Sequence, residues 1–296
     1  MSALSVSGQL TTKWEASAVT TSGDTVRSMR TALVTGASSG IGRETALALG
    51  RQGLHVIAAG RSEARTMAVV EQIASEGGSA ELRSLDLSSL SAIADAAGHI
   101  TERGLEIDVL VNNAGVGIAR GITEDGFEIH FGVNHLGHFL LTELLGPALA
   151  KGARVVTVAS AAHYRATGID FQSVRSRTRS LLGWREYAMS KLANVLFTRE
   201  LATRRPWLRT YAVHPGLVDT GIVPIWGKPF VQPRLLTPTE GADPVVWCAT
   251  SAESAGETGL YYSRMRQEAP SSQARDDVLA AELWKRSATW CEIAAL

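Results

Sequence analysis

Thr31-Ala-Leu-Val-Thr35-Gly36-Ala37-Ser38-Ser39-Gly40-Ile41-Gly42 is the stretch that decides the fold. It opens with an apolar run of strand length, and glycines follow at once. From Gly40 to Gly53 the residues Ile41, Ala46, Leu47 and Leu49 recur at helical spacing, and Gly53 is a stop. A strand running through a tight turn into a helix leaves free N–H groups and the positive end of the helix dipole at that turn. That is an anion site. Gly36, Gly40 and Gly42 let the backbone approach a pyrophosphate, and Ser38, Ser39 and Ile41 complete the turn, so a dinucleotide is the expected occupant.

The same rhythm runs outward from this point. Further strands are expected at 54–59, 81–87, 107–111, 153–158 and 208–213, with the apolar stretch Gly259-Leu-Tyr-Tyr262 beyond them. Helices are expected at 63–75, at 88–103 with Ser88 as cap, at 123–149 closed by Pro147, and at 185–204. Alternating strands and helices mean βαβ units. The expected architecture is a single doubly wound Rossmann α/β domain over 30–296, with a mostly parallel seven-stranded sheet and helices on both faces. Residues 1–29 are rich in Ser, Thr and Ala without hydrophobic period and read as a flexible tail. Two irregular stretches interrupt the pattern: 162–184, rich in Arg and Ser, and a proline-rich lid over 221–238.

Composition removes other classes. Lys+Arg 29 balances Asp+Glu 29, so the chain lacks the basic excess that nucleic acid or a membrane surface usually calls for. No apolar run reaches the length of a membrane span. Two cysteines, Cys248 and Cys291, make no disulfide framework, and a reducing, cytoplasmic setting is the simplest reading. Cys248 sits in an apolar helical pattern and reads as core. His135 and His138 have no third ligand in view and read as packing residues, so no metal is expected; His163 and His214 read as structural or near the substrate.

The second strand ends Ala58-Ala59-Gly60-Arg61. An acidic residue at this point would take the ribose hydroxyls of NAD; here there is none, and the Arg61 guanidinium suits a 2′-phosphate, so the cofactor expected is NADP(H). Arg43 is a weaker candidate for the same phosphate. Further along, Val155-Val156-Thr157-Val158-Ala159-Ser160 is a strand ending in serine, and Tyr187-Ala188-Met189-Ser190-Lys191 puts Tyr187 and Lys191 on one helix face. A phenol near pKa 10 is a poor acid or base at neutral pH. A lysine ammonium beside it is expected to lower that pKa. Tyr187 then serves as general acid or base, and Ser160 hydrogen-bonds the substrate oxygen.

These features, with Asn112-Asn113-Ala114-Gly115 after the fourth strand and His214-Pro215-Gly216 after the sixth, stand in one order. In that order the chain, over about residues 30–265, resembles the short-chain dehydrogenase/reductase family. The resemblance implies that Asp86 and Leu87 meet the adenine, and that Asn113, Ala114 and Gly115 line the cofactor. It implies that Asn134 helps hold a water linked to the lysine, and that Lys191 binds the nicotinamide ribose. Pro215, Gly216, Val218 and Thr220 are placed at the cofactor as well. Asn134-His-Leu-Gly-His-Phe139, Lys191-Leu-Ala-Asn-Val-Leu-Phe197 and the long interval from Ser160 to Tyr187 resemble its retinol-dehydrogenase-like and protochlorophyllide-reductase-like branch. Ala159 departs from that branch, where a second serine is common. The family pairs subunits through the helices that carry Asn134 and Tyr187, so a homodimer is expected. The expected activity is hydride transfer between NADP(H) and a carbonyl, imine or alcohol of a partly apolar small molecule. The alternatives are reduction of an activated C=C bond, or a dinucleotide-binding regulatory protein without turnover.

Overall fold

A computed structural model describes residues 29–219 and 235–293. The expected tail, Thr220 and most of the lid lie outside the described residues. The sheet has strands β1 (Thr31–Thr35), β2 (His55–Gly60), β3 (Ser79–Ser84), β4 (Ile107–Asn112), β5 (Leu149–Val158), β6 (Arg209–His214), β7 (Leu260–Ser263) and β8 (Arg266–Gln267). Their spatial order is β3-β2-β1-β4-β5-β6-β7-β8, all pairs parallel except β7 with β8. Eight strands replace the seven expected, because the last is a two-residue antiparallel return too short to carry a hydrophobic period.

The helices are α1 (Gly40–Arg51), α2 (Glu63–Ser75), α3 (Leu90–Glu102), α4 (Ile129–Phe131), α5 (Gly137–Leu144), α6 (Trp184–Arg204), α7 (Pro238–Thr250) and α8 (Asp277–Trp290). Successive strand residues point to opposite faces. Leu33 therefore packs with Ile57, Leu110 and Val155, under Ile93, Phe139 and Trp284 of α3, α5 and α8. Val34 packs with Val56, Val109 and Val111, under Leu47, Ile73 and Val245 of α1, α2 and α7. Two helix starts carry strong side-chain caps, Asp276 accepting from Leu279 N–H at 2.9 Å and the reciprocal Thr237–Glu240 box. Caps of this kind are worth about 1 kcal/mol each.

The expected long helix over 123–149 is shorter and broken. Residues Ile122 and Glu128 pair across a tight turn, and the Glu128 carboxylate accepts from the N–H groups of His130 and Phe131, so the helix starts only at Ile129. A π-turn at Gly132–Leu136 then widens it around Asn134. β5 begins at Leu149, where the helix had been expected to run on. Ser89 rather than Ser88 caps α3, because the Asp86 carboxylate takes both the amide and the hydroxyl of Ser88. The Arg/Ser-rich stretch is a chain of 3₁₀ turns, clasped to α6 by Glu186, which accepts from the N–H groups of Arg179 and Ser180.

The strand order reverses direction beside β1, between β1 and β4. In open parallel sheets the crevice at the carboxyl ends of such strands takes the ligand.

Candidate active site

At the end of β1 the Thr35 hydroxyl accepts from the N–H groups of Asn113 at 2.9 Å and Ala114 at 3.0 Å, and Asn113 Nδ2 donates to the Thr35 carbonyl at 2.8 Å. The two turns that follow β1 and β4 are thus tied together. A Cβ on Gly42 would run into Asn113 Nδ2 and the Gly36 carbonyl, so only glycine fits there. Ser39, the N-cap of α1, is extended and makes no side-chain cap bond, and no acidic residue stands in the first turn. The amides of the first turn remain available and uncontested by a carboxylate, which fits a pyrophosphate. Ser38, Ser39, Gly40, Ile41 and Gly42 all sit at this helix start, as expected.

At the end of β2, a Cβ on Gly60 would lie 2.7 Å from the Thr66 hydroxyl, itself bonded to the Ser62 carbonyl. A ribose-binding carboxylate has no room at this position. Arg61 follows and is exposed. Arg43 does not join it, since its guanidinium is held by Glu44 and by Gln72 Oε1 at 2.6 Å. Asp86 uses Oδ1 to fix the Ser88 turn, and Leu87 is buried against the Gly137 backbone. Pro215 is buried, and Val218 pairs with Leu236 across the segment that follows β6.

Ser160 lies just past the end of β5. Its hydroxyl accepts from Ala162 N–H at 3.2 Å and reaches the Tyr187 phenol. Lys191, one turn on, is buried, and its ammonium donates to the Val158 carbonyl at 2.8 Å. It has no carboxylate partner among the described residues, so two of its three donors are free for ribose hydroxyls. Burial pushes Lys191 down to about 8. Tyr187 does not follow the expectation from its sequence neighbour. Burial pushes the phenol up, the Ser160 bond opposes this, and the lysine ammonium lies 5.8 Å from the ring centre, spent on a backbone carbonyl. Desolvation is the larger influence, so the phenol stands above its ordinary value.

Asn134 sits inside the π-turn. Its side chain donates to the Val116 carbonyl at 3.1 Å and to the Ser190 hydroxyl at 3.0 Å, and accepts from Val116 N–H at 2.8 Å. It therefore bolts the loop after β4 to α6. Gly115 lies against it: a Cβ there would be 3.0 Å from Asn134 Oδ1.

Three further residues belong to the site: His138, read above as packing, His163, read as structural or near the substrate, and Trp184, which was not singled out. His138 places Nδ1 at 3.1 Å from the Asn134 carbonyl and Nε2 at 2.9 Å from the Thr35 hydroxyl, linking the cofactor turn to the π-turn that holds Asn134. A carbonyl only accepts, so Nδ1 carries the proton, and burial holds the ring neutral with its pKa down to about 4. His163 holds the Ser160 carbonyl. Trp184, half exposed, stacks on Tyr187 with ring centres 5.6 Å apart. For Trp184, the i, i+3 spacing to Tyr187 was the available signal.

A nucleotide cradle facing a Ser-Tyr-Lys group defines a nicotinamide-dependent oxidoreductase site. The chain belongs to the short chain dehydrogenase family, whose profile matches residues 30–228. It is 39% identical over 277 residues to human (Homo sapiens) retinol dehydrogenase 13, covering 88% of this chain and 83% of that one. It is 42% identical over 275 residues to mouse (Mus musculus) polyprenol dehydrogenase, covering 86% and 82%. Among solved structures it is similar to the landomycin C-6 ketoreductase LanV with bound NADP and rabelomycin, with TM-score 0.62 and 25% identity, covering 79% and 94%. These relatives bear out the retinol-dehydrogenase-like branch. No helix among the described residues is long and apolar enough to cross a membrane.

Proposed function

We propose that this chain is an NADP(H)-dependent reductase of carbonyl or imine groups on partly apolar small molecules, with the alcohol oxidation as its reverse. The observation that carries the reading is the buried Tyr187 phenol and the buried Lys191 ammonium, without a carboxylate partner among the described residues, on one helix face beside Ser160 and the nucleotide cradle. The reduced nicotinamide, when bound, supplies the hydride to the carbonyl carbon. Ser160 donates a hydrogen bond to the carbonyl oxygen as negative charge develops there. Tyr187 gives that oxygen its proton, and the alcohol forms. Lys191 holds the cofactor ribose and favours the resulting phenolate. A pair aimed at one oxygen suits C=O better than a C=C bond, which needs its proton at carbon.

NADP(H) is supported by the exposed Arg61 and by the exclusion of a carboxylate at Gly60. The bound NADP of the ketoreductase neighbour points the same way. A partly apolar substrate is supported by what the carboxyl-end loops expose. Ile118 follows β4, Leu217 follows β6, Met265 follows β7, and Trp184 stands beside the catalytic ring. Retinol and polyprenol, in the names of relatives, are alcohols of the same apolar kind.

The test is NADPH oxidation by the purified chain against aliphatic aldehydes, retinal, aromatic ketones and cyclic imines, with Tyr187→Phe as control. Turnover that the variant loses, while NADPH still binds, supports the reading. Unchanged turnover in Tyr187→Phe, or absence of NADPH binding to the wild type, sinks it.

A further inference from the structure

The Ser160 carbonyl accepts twice from His163: from its backbone N–H at 3.1 Å and from its ring Nδ1 at 2.7 Å. The other ring nitrogen, Nε2, faces the Ser271 N–H at 3.2 Å. Both partners are backbone groups with fixed roles. A carbonyl only accepts and an amide only donates, so Nδ1 must carry the proton and Nε2 must be bare. His163 is therefore neutral and held in one tautomer. The ring is fully buried, with Tyr164 at 4.0 Å and Tyr261 at 4.8 Å between ring centres, and burial pushes its pKa down.

The segment it reaches lies outside the residues that match the family profile. Residues 268–275 follow β8. They are latched to the turn after β5 at two points, the Ser271 amide on His163 and the Ala269 carbonyl, which accepts from the Tyr164 hydroxyl at 2.7 Å. The segment is itself braced, since Ser271 Oγ accepts from Ala274 N–H and Glu268 N–H donates to the Tyr261 carbonyl. A rigid chain of contacts thus runs from the C-terminal part of the fold to the backbone of the catalytic serine.

We propose that His163 is a positioning residue: the Ser271 amide fixes its tautomer, and the ring Nδ1–H bond to the Ser160 carbonyl that this leaves is what aims the Ser160 hydroxyl at Tyr187 and the substrate oxygen. The proposal rests on the reading of Ser160 given above. The side chains of Asn and Gln separate the two bonds. In His163→Asn the amide nitrogen stands near the Nδ1 position and keeps the bond to Ser160. In His163→Gln the amide oxygen reaches the Nε2 position and keeps the bond to Ser271. His163→Phe keeps the ring and loses both.

With retinal as the carbonyl probe and NADPH in excess, kcat is expected to fall about tenfold to a hundredfold in His163→Phe and His163→Gln, the cost of a misplaced catalytic group. KM for NADPH should stay within about threefold, since the cofactor turn is untouched, and His163→Asn should recover most of kcat. Melting temperatures of the three variants, measured alongside, separate positioning from unfolding. His163→Asn as impaired as His163→Phe at equal stability would overturn the proposal. A second measurement does not need turnover: ¹⁵N spectra of histidine-labelled wild type should show the rings of both His138 and His163 as Nδ1–H tautomers, the His163 signal assigned by its loss in His163→Gln. The His163 ring found as Nε2–H or as imidazolium at neutral pH would overturn it equally. If the wild type binds NADPH yet ignores every carbonyl, the proposed function fails while the tautomer still decides His163.

Discussion

Thr35→Val is the sharpest probe of how the site is held together, because valine has the shape of threonine without its hydroxyl. That hydroxyl is saturated. It accepts from Asn113 N–H and Ala114 N–H, and its proton faces His138 Nε2 at 2.9 Å, with the Val111 carbonyl a longer acceptor at 3.2 Å; the other His138 nitrogen is committed to the Asn134 carbonyl. Thr35 and His138 are both fully buried, and the two amides half buried. Three hydrogen bonds are lost at about 1 kcal/mol each, and the stranded imidazole nitrogen adds about 1–2 kcal/mol, so the total is about 4–5 kcal/mol. At about 2–4 °C per kcal/mol, Tm should fall by about 10 °C. The turn after β1 must then be reordered on binding, so NADPH affinity should fall at least about tenfold, the equivalent of 1.4 kcal/mol. Thr35→Ser is the control: it keeps the hydroxyl and loses one buried methyl, about 1 kcal/mol. Urea unfolding gives the stabilities, and NADPH fluorescence the affinities. If Thr35→Val stays within 1 kcal/mol of wild type, or if Thr35→Ser is as damaging, the hydroxyl is not the hub described here.

Three other outcomes are expected. Arg61→Ala should weaken NADPH about 10- to 150-fold, the 1.5–3 kcal/mol of a charged hydrogen bond, and leave NADH within about twofold; equal losses for both would refute a 2′-phosphate site. Lys191 carries a folded pKa of about 8 against an ordinary 10.5, so its charged form costs the fold about 3 kcal/mol. The unfolded chain binds more protons between those two values, so stability from this group rises with pH across about 8 to 10.5. Lys191→Met should therefore be inert as an enzyme yet more stable at pH 7, with the advantage gone above that window; a less stable variant refutes the sign. Finally, light scattering should find no dimer built on α5 and α6, and a dimer disrupted by changes on either helix would contradict the burial described next.

The expected pairing face is not free. Every residue of α6 from Glu186 to Thr198 is buried within the single chain, as are the residues of α5 from Gly137 to Glu143. Trp284 of α8 stacks on Phe197 and meets Phe139 edge-on, and His135 meets Ser287 at 3.1 Å. A helix buried on all sides has no seam left for a second subunit. The resemblance supplied the pairing, and the sequence of α8 reads only as one more amphipathic helix, so nothing local announced which face it would cover.

The same limit explains what could and could not be read in advance. The cradle, Ser160, Tyr187 and Lys191 were legible because each depends on spacing along one strand, turn or helix face. The late start of α4 was not, because it follows from a glutamate cap and a cross-chain bridge at Ile122 and Glu128 that no helical period encodes. The pull of Lys191 on the Tyr187 phenol shows the same limit. Adjacency at i, i+4 says that lysine and tyrosine share a face, but whether the ammonium acts on the phenol depends on where its bonds go, and here one goes to Val158.

His138 and His163 carry this furthest. Each has one nitrogen on the carbonyl of a site residue, Asn134 or Ser160, and the other on a group across the fold, Thr35 or Ser271. Each partner carbonyl dictates an Nδ1–H tautomer, and each ring is driven neutral by burial. A protonated His163 would present a second N–H where the Ser271 amide already donates, so charging it breaks that contact, and charging His138 would force the Thr35 hydroxyl to turn its proton to the Val111 carbonyl. Neutrality is thus a structural requirement of both, and with folded pKa values below the ordinary one, protonation on acidification should favour the unfolded chain. The two rings fix the backbone on either side of Tyr187, one through the cofactor turn and one through the serine, while neither touches the reacting atoms.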